Sequence, residues 1–238
     1  MKFLYNLFYL LLSPTKLIAT YYSIITFTKD ADGISLDVGS GNGFFKRLCN
    51  NFYIHLFSGN FQSRKGVDIV FDAQIMPIKT DTVANISNFS VLEHLEFPIK
   101  FLLESYRILI PGGKLFIMVP FMYGEHDQVD YQRYTELGLR KLIESAGFRK
   151  NSIIRLGGTL TTFNNMVINL IHNKFSNRSN WYIDTHYKYA LLLLSRLISL
   201  PFFVLNWPLF FVDKIVDPNS LNCTNFFVIA EKDLFNEK

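Results

Sequence analysis

The feature that most narrows what this chain can fold into is Leu36-Asp37-Val38-Gly39-Ser40-Gly41-Asn42-Gly43. It joins a short apolar run, Ile34 to Val38, to a segment with helical character, Gly43 to Asn50. Glycines at such a joint let the backbone turn sharply and come close to a ligand. The helix start beyond them offers unbonded N–H groups and a positive dipole end, which suit a carboxylate or phosphate. The spacing is G-x-G-x-G and not the G-x-G-x-x-G of dinucleotide folds. Asp37 at the strand end would repel a pyrophosphate but attract an ammonium group. Loop and acid together therefore suit an amino-acid-like ligand better than a dinucleotide, although a glycine-rich turn of this kind also serves purely structural ends.

Around this joint, strand-like and helix-like segments alternate, which predicts a parallel sheet covered by helices on both faces. Strands are expected at Ile34–Val38, Phe52–Phe57, Val67–Phe71, Val83–Asn88, Lys114–Val119, Phe148–Leu156 and Asn225–Glu231. The apolar spacing of Phe101, Leu102, Ile108 and Leu109 predicts a helix from Pro98 to Leu109. Pro111-Gly112-Gly113 should stop it, since Pro cannot continue a helix and Gly tolerates the left-handed turn. Thr135 is placed to cap a further helix running to Ala146, with Gly147 closing it. The fold class is thus α/β, a doubly wound, mostly parallel seven-stranded Rossmann-like sheet with an apolar helical insertion before the last strand. The chain divides into an N-terminal apolar helical segment (1–30), a core (31–156), the insertion (157–223), and the last strand with its tail (224–238).

Composition excludes several functions. Apolar residues make up 49% and charged residues 18% of 238, which is enough for a large core and not the makeup of a disordered tail. A net charge of +4 with no long Lys/Arg run argues against a nucleic-acid partner. Two cysteines, Cys49 and Cys223, give neither a disulfide framework nor metal spacing, so a reducing, cytoplasmic setting fits and no metal is expected. Phe3 to Leu12 imitates a signal peptide, but Ser13-Pro14-Thr15-Lys16 offers no small-residue cleavage site. That segment is read as a helix packed on the domain or lying on a membrane. Tyr189 to Val212 is almost wholly apolar apart from Arg196 and Asn206, and Pro201 and Pro208 are expected to break it. The prolines disfavour a straight spanning helix. A buried helical cap and a peripheral membrane contact both remain open, with Lys188, Arg196 and Lys214 placed to meet lipid phosphates.

From Ile34 to Gly147 the sequence resembles the class I S-adenosylmethionine-dependent methyltransferases, in the small-molecule branch often called type 11. The resemblance rests on the Leu36–Gly43 loop, then Phe71-Asp72-Ala73-Gln74-Ile75-Met76-Pro77 and Asn88-Phe89-Ser90-Val91-Leu92-Glu93-His94. It continues through Arg107-Ile108-Leu109-Ile110-Pro111-Gly112-Gly113 and ends at Leu142-Ile143-Glu144-Ser145-Ala146-Gly147-Phe148. A weaker likeness, from Pro120 through Thr135, is to a branch often encoded among surface-polysaccharide genes. The resemblance implies S-adenosyl-L-methionine as cofactor. Asp37, Gly39, Ser40, Gly41 and Gly43 would hold its methionine part. Asp72 would bond the adenine amino group, Ala73 would pack beside the ring, and Asn88 and Phe89 would line the floor under the sulfonium. One departure stands out: the acid usual at the end of the second strand is missing, and Ser58 is the nearest substitute for a ribose contact.

Methyl transfer needs alignment of nucleophile and methyl group and exclusion of water. A hydroxyl nucleophile also gains from a base within hydrogen-bond reach. The loop after the fifth strand, Phe121 to Tyr134, should overhang the site, and His126, Asp127 and Tyr131 are the catalytic candidates, with His126 preferred as base because imidazole titrates near neutrality. Glu93 and His94 are equally readable as helix-start polar residues. The expected acceptor is a small molecule, a lipid or a glycan, with oxygen favoured. Amino methylation of nucleic acid is disfavoured because Asn88-Phe89-Ser90 lacks the paired prolines usual there. Two rivals stand beside this reading: a non-catalytic methyltransferase-like binding protein, supported by the missing ribose acid, and a nicotinamide-dependent oxidoreductase, opposed by the glycine spacing.

Overall fold

A computed structural model describes residues 2–29, 33–50, 54–125, 128–176 and 185–234. They form two compact units. One comprises Ile18–Phe121, His126–Ile154 and Phe226–Lys238; the other comprises Met1–Leu17, Met122–Glu125 and Arg155–Asn225.

The first unit is built on a seven-stranded sheet. In chain order its strands are β1 (Ile34–Val38), β2 (Leu56–Asn60), β3 (Ile69–Val70), β4 (Val83–Phe89), β5 (Leu109–Pro120), β6 (Lys150–Leu156) and β7 (Asn225–Glu231). Their spatial order is β3-β2-β1-β4-β5-β7-β6, and every pairing from β3 to β5 is parallel. The helices of this unit include α3 (Phe44–Asn50), α4 (Pro98–Ile108) and α5 (Glu136–Ser145). The inner strands are buried along almost their whole length, as strands covered on both faces must be: β4 reads Val83 to Asn88 without an exposed position, and Leu115 to Pro120 of β5 is likewise buried. Phe27, from the helix α2 (Pro14–Lys29), sits fully buried between the rings of Phe45 and Phe116, at centroid distances of 6.0 and 5.3 Å. Edge-on aromatic packing of this kind adds to the area each ring buries.

Thr135 caps α5 as expected, its Oγ1 accepting from the Gly138 amide at 3.2 Å. Other boundaries move. The second strand is Leu56–Asn60, later than the expected Phe52–Phe57, of which Phe52 and Tyr53 lie outside the described residues. Its register is set by pairing with β1, Ser35 opposite Leu56 and Val38 opposite Gly59, which an apolar run alone does not encode. The fifth strand starts at Leu109, directly after α4, and passes through Pro111-Gly112-Gly113. Those residues bulge the strand and do not merely stop the helix: the register shifts opposite Val83–Asn85, and Gly112 takes φ +78° while donating to Lys232 O. A bulge is where a sheet tolerates a Pro that cannot donate.

The second unit contains α1 (Lys2–Leu11), α6 (Thr159–Ser176) and α7 (Thr185–Val216). The prolines do not break the apolar stretch: α7 runs through both Pro201 and Pro208. Each Pro removes one intrahelical bond, and α6, packed antiparallel beside α7, is joined to it by side-chain hydrogen bonds. Asn164 Nδ2 donates to Phe202 O and to Asn206 Oδ1, both at 2.7 Å. The Asp213 carboxyl accepts from the amides of Leu160 and Thr161 at 2.8 and 2.9 Å, so a side chain of α7 satisfies the unbonded N–H groups that open α6. Asp217 Oδ2 takes the Thr159 amide and hydroxyl in the same way. Trp207 Nε1 donates to Leu11 O at 2.7 Å, and Tyr9 packs edge-on against Phe203, which fastens α1 to α7.

Candidate functional site

In an open α/β sheet the ligand site lies beyond the carboxyl ends of the strands, where the strand order reverses. Here the reversal falls between β1 and β4. The glycine loop follows β1 directly, and Asn88, Phe89 and Ser90 end β4, so the topology brings two of the sequence motifs to one crevice.

Gly39, Gly41 and Gly43 all have positive φ, 78°, 56° and 67°. They differ in what surrounds them. A side chain at Gly39 would collide with Val91, which follows β4, so that glycine serves the joining of the two motifs. A Cβ at Gly41 would meet nothing within 4 Å, so the backbone there presents an open face. The loop is tied to β2 by the amides of Gly39 and Ser40, which both donate to Gly59 O.

Asp37 is buried, and Ser87 Oγ donates to its Oδ1 at 2.8 Å. Burial pushes its carboxyl up to about 7, against the stabilising pull of that hydroxyl. Asn88 is also buried; its Nδ2 reaches Val38 O at 3.3 Å, while its Oδ1 accepts no bond from the described residues. The Ser40 hydroxyl is in the same position. Buried polar atoms left so are costly unless a ligand meets them. A buried acid, two such atoms and an open glycine at the strand ends match a polar, cationic amino-acid group, and so fit the cofactor that the sequence resemblance implies. Ser90, next along, holds a left-handed φ of 55°, the kind of backbone outlier that clusters at functional sites.

Asp72 and Ala73 lie just past β3. Asp72 Oδ1 accepts from the amide of Gln74 at 2.8 Å. This loop is clamped from α4: Glu104 accepts from the Met76 amide at 2.8 Å, and Arg107 donates to Met76 O, Ile78 O and Glu104. The sequence gives Glu104 and Arg107 no such role, because the loop that they hold lies some thirty residues earlier in the chain. Phe89 does not stand alone at the strand end; its ring packs edge-on to Phe45 at 5.2 Å. Ser58, the residue expected near the ribose, has bonds within the protein. It is fully buried within β2, its amide and hydroxyl both reach Asp68 Oδ2, at 2.7 and 2.8 Å, and the hydroxyl is also 2.7 Å from Gly66 O. With the strand in its observed register, the polar residue at its carboxyl end is Asn60.

Beyond β4 a short 3-10 turn, Leu92–His94, carries Glu93 into the interior. Burial pushes this carboxyl well above the usual carboxylate range, against the pull of its own backbone amide, of His94 and of Arg133. His94 Nε2 stands 3.8 Å from Glu93 Oε1, and its Nδ1 donates to Val129 O. The segment after β5 docks here: the Tyr131 amide donates to Glu93 O at 2.9 Å, and Gln132 Nε2 donates to Leu95 O at 3.1 Å. Arg133 pairs with the buried Asp130, Nη2 to Oδ2 at 2.6 Å. Tyr134 is buried, and burial raises its phenol, with Glu93 raising it further. Of the three catalytic candidates from the sequence, His126 and Asp127 lie outside the described residues, and the Tyr131 side chain is 57% exposed. The structure instead gathers Glu93, His94, Asp130, Arg133 and Tyr134 at the carboxyl ends of β4 and β5. Glu93 was legible only as a polar residue near a helix start; its burial needed the fold. Among the described residues no cluster could hold a metal ion.

Residues 6–152 match a family model described as a methyltransferase domain. No curated protein sequence matches the chain. Among solved structures it resembles a SAM-dependent methyltransferase from Archaeoglobus fulgidus, at 16% identity and TM-score 0.57, covering 96% of this chain and 99% of that one. It also resembles Haemonchus contortus phosphoethanolamine N-methyltransferase 2 bound to S-adenosyl-L-methionine, at 13% identity and TM-score 0.54, covering 93% of this chain and 57% of that one. The chain thus spans little more than half the length of the Haemonchus enzyme. A third likeness is to the [4+2]-cyclase SpnF, at 14% identity and TM-score 0.51, covering 89% of this chain and 79% of that one. At these identities the likenesses establish the fold, while the family match extends over more than half of the chain. This chain belongs to the methyltransferase domain family.

Proposed function

We propose that the protein methylates an oxygen of a small molecule, a lipid or a glycan. The observation that carries this reading is the acid–imidazole pair Glu93–His94, set at the carboxyl end of β4 beside the cofactor crevice. A hydroxyl must lose its proton as it attacks, which an amine with a lone pair need not do first. With Nδ1–H bonded to Val129 O, the proton-accepting nitrogen of neutral His94 is Nε2, the atom nearer Glu93. Glu93 then stabilises the imidazolium that forms, and the bonds of Tyr131 N to Glu93 O and of Gln132 Nε2 to Leu95 O hold the overhanging segment on the turn. His126, Asp127 and Tyr131, on that same segment, are the residues proposed to meet the acceptor.

The cofactor, when bound, supplies a methyl group already activated on a sulfonium. The chain's own residues would do the rest: Asp37 would face the ammonium, Ser40 and Asn88 would bond polar groups nearby, and the clamped Asp72 loop would hold the adenine. Transfer of labelled methyl to pooled hydroxylated acceptors tests the reading. Wild type should label a methyl ether on the acceptor, identified by the mass and fragmentation of the product. His94→Asn should lower kcat by about a hundredfold or more and flatten its pH profile, as loss of a general base does. Labelling of amines only, or a His94→Asn enzyme with an unchanged profile, sinks the oxygen assignment. SpnF, a cyclase on this fold, keeps a second reading in view: cofactor binding without any methyl transfer to the acceptors tried.

A further inference from the structure

Helices α6 and α7 are amphipathic in the inverted sense. From Leu194 to Val216 the exposed positions of α7 are apolar except for Arg196 and Lys214; Leu194, Leu197, Pro201, Leu205, Pro208 and Phe211 among them recur at intervals of three and four. Its buried positions include Ser195, Ser199, Asn206 and Asp213. The partner helix follows suit, with Phe163, Met166 and Leu170 exposed while Thr161, Thr162 and Asn164 are buried. A helix on a water-facing surface turns its polar side outward. Here the polar side chains are spent between the two helices, through Asn164–Asn206 and through Asp213 on the start of α6. Polar bonding inside and apolar side chains outside is the arrangement that hydrocarbon solvent imposes.

We infer that the outer face of the α6–α7 pair is seated in the hydrocarbon of a lipid bilayer. Charge placement favours lipid over a second copy of the chain. Between Arg196 and Asp213 the sequence carries no charged residue. The exposed cations Arg196 and Lys214 bound the apolar face at its two ends, about 27 Å apart at the helical rise, close to the thickness of a hydrocarbon core of about 30 Å. Long cationic side chains so placed reach headgroup phosphates. A subunit interface would instead carry a polar rim around a smaller apolar centre. The stretch Leu194–Val216 is also long and apolar enough to cross a membrane by length and composition, with only 22% of its apolar window buried within the protein.

Flotation of the full chain with phosphatidylcholine vesicles, with and without phosphatidylglycerol, tests this. The protein should float with both and more strongly with the anionic lipid. Leu205→Asp with Phe211→Asp changes only exposed positions, and should cut partitioning by on the order of a hundredfold while cofactor binding stays intact. Should that double variant fail to fold, Trp207 in a Trp181→Phe background gives a second readout: its fluorescence should be quenched by brominated acyl chains. Three outcomes overturn the inference: no flotation with either lipid, flotation unaffected by the two aspartates, or a lipid-free dimer that the aspartates dissociate. The last would mean that a second copy covers the face.

Discussion

A carboxyl held at the end of a strand in a buried pocket, as Asp37 is, binds its proton up to about pH 7. A cationic ammonium beside it favours the ionised form, so cofactor binding should release a proton at acidic pH. Affinity should rise with pH up to about 7 and level off above it, and calorimetry in buffers of differing ionisation heat should show proton release only below that point. Asp37→Asn should remove the dependence together with most of the affinity. Gly41 gives a sharper residue-scale test. Valine there meets open space but must adopt a left-handed φ and stand on the ligand's face of the loop. Gly41→Val should therefore abolish binding with little loss of stability, since the strain is of order 1–3 kcal/mol; unchanged affinity would remove the loop from the site.

At the scale of elements, two clamps decide the local structure. Arg107 on α4 holds the loop after β3 through backbone oxygens of Met76 and Ile78. Arg107→Ala should loosen that loop and weaken adenine contacts, raising KM for the cofactor more than it lowers kcat. Because Arg107 is about a third exposed, the stability cost should stay near 1 kcal/mol or below. Asp213 plays the corresponding part in the helical pair. Removing a cap costs about 0.5–2 kcal/mol, so Asp213→Ala should lower the melting temperature by a few degrees and leave methyl transfer kinetics unchanged. Element types and order were legible in the sequence: the glycine joint, the Thr135 cap and the final strand Asn225–Glu231 all stand where local chemistry puts them. The second strand was not, because its apolar residues fit more than one register and only pairing with β1 selects Leu56–Asn60.

For the whole molecule, buried acids set the response to pH. Asp37 and Glu93 both have folded-state pKa values above their unfolded ones. The native state therefore holds more protons than the unfolded state from about pH 4 to about 7, and stability falls as pH rises through that window. The apoprotein should melt lower at about pH 8 than at about pH 5, and saturating cofactor should narrow the difference by stabilising ionised Asp37. A melting temperature that rose across the window would place these carboxyls at the surface. The helical pair proposed to face lipid belongs to the same scale, since on that proposal the acceptor would be met at a lipid surface.

Local sequence determined what local chemistry can specify: alternating elements, a glycine loop shaped for a polar ligand, and five ordered motifs sufficient to place the chain among methyltransferases. Tertiary structure decided what depends on partners distant in the chain. It placed β7 between β5 and β6 and brought the loops after β1 and β4 to one crevice. It buried Glu93 beside the segment after β5, and bonded Ser58 to Asp68. It also turned the apolar side of α7 outward. Apolar periodicity marks a face but not what the face will meet; that was settled by the polar residues on the opposite side of α7, Asn206 and Asp213, finding their partners on α6.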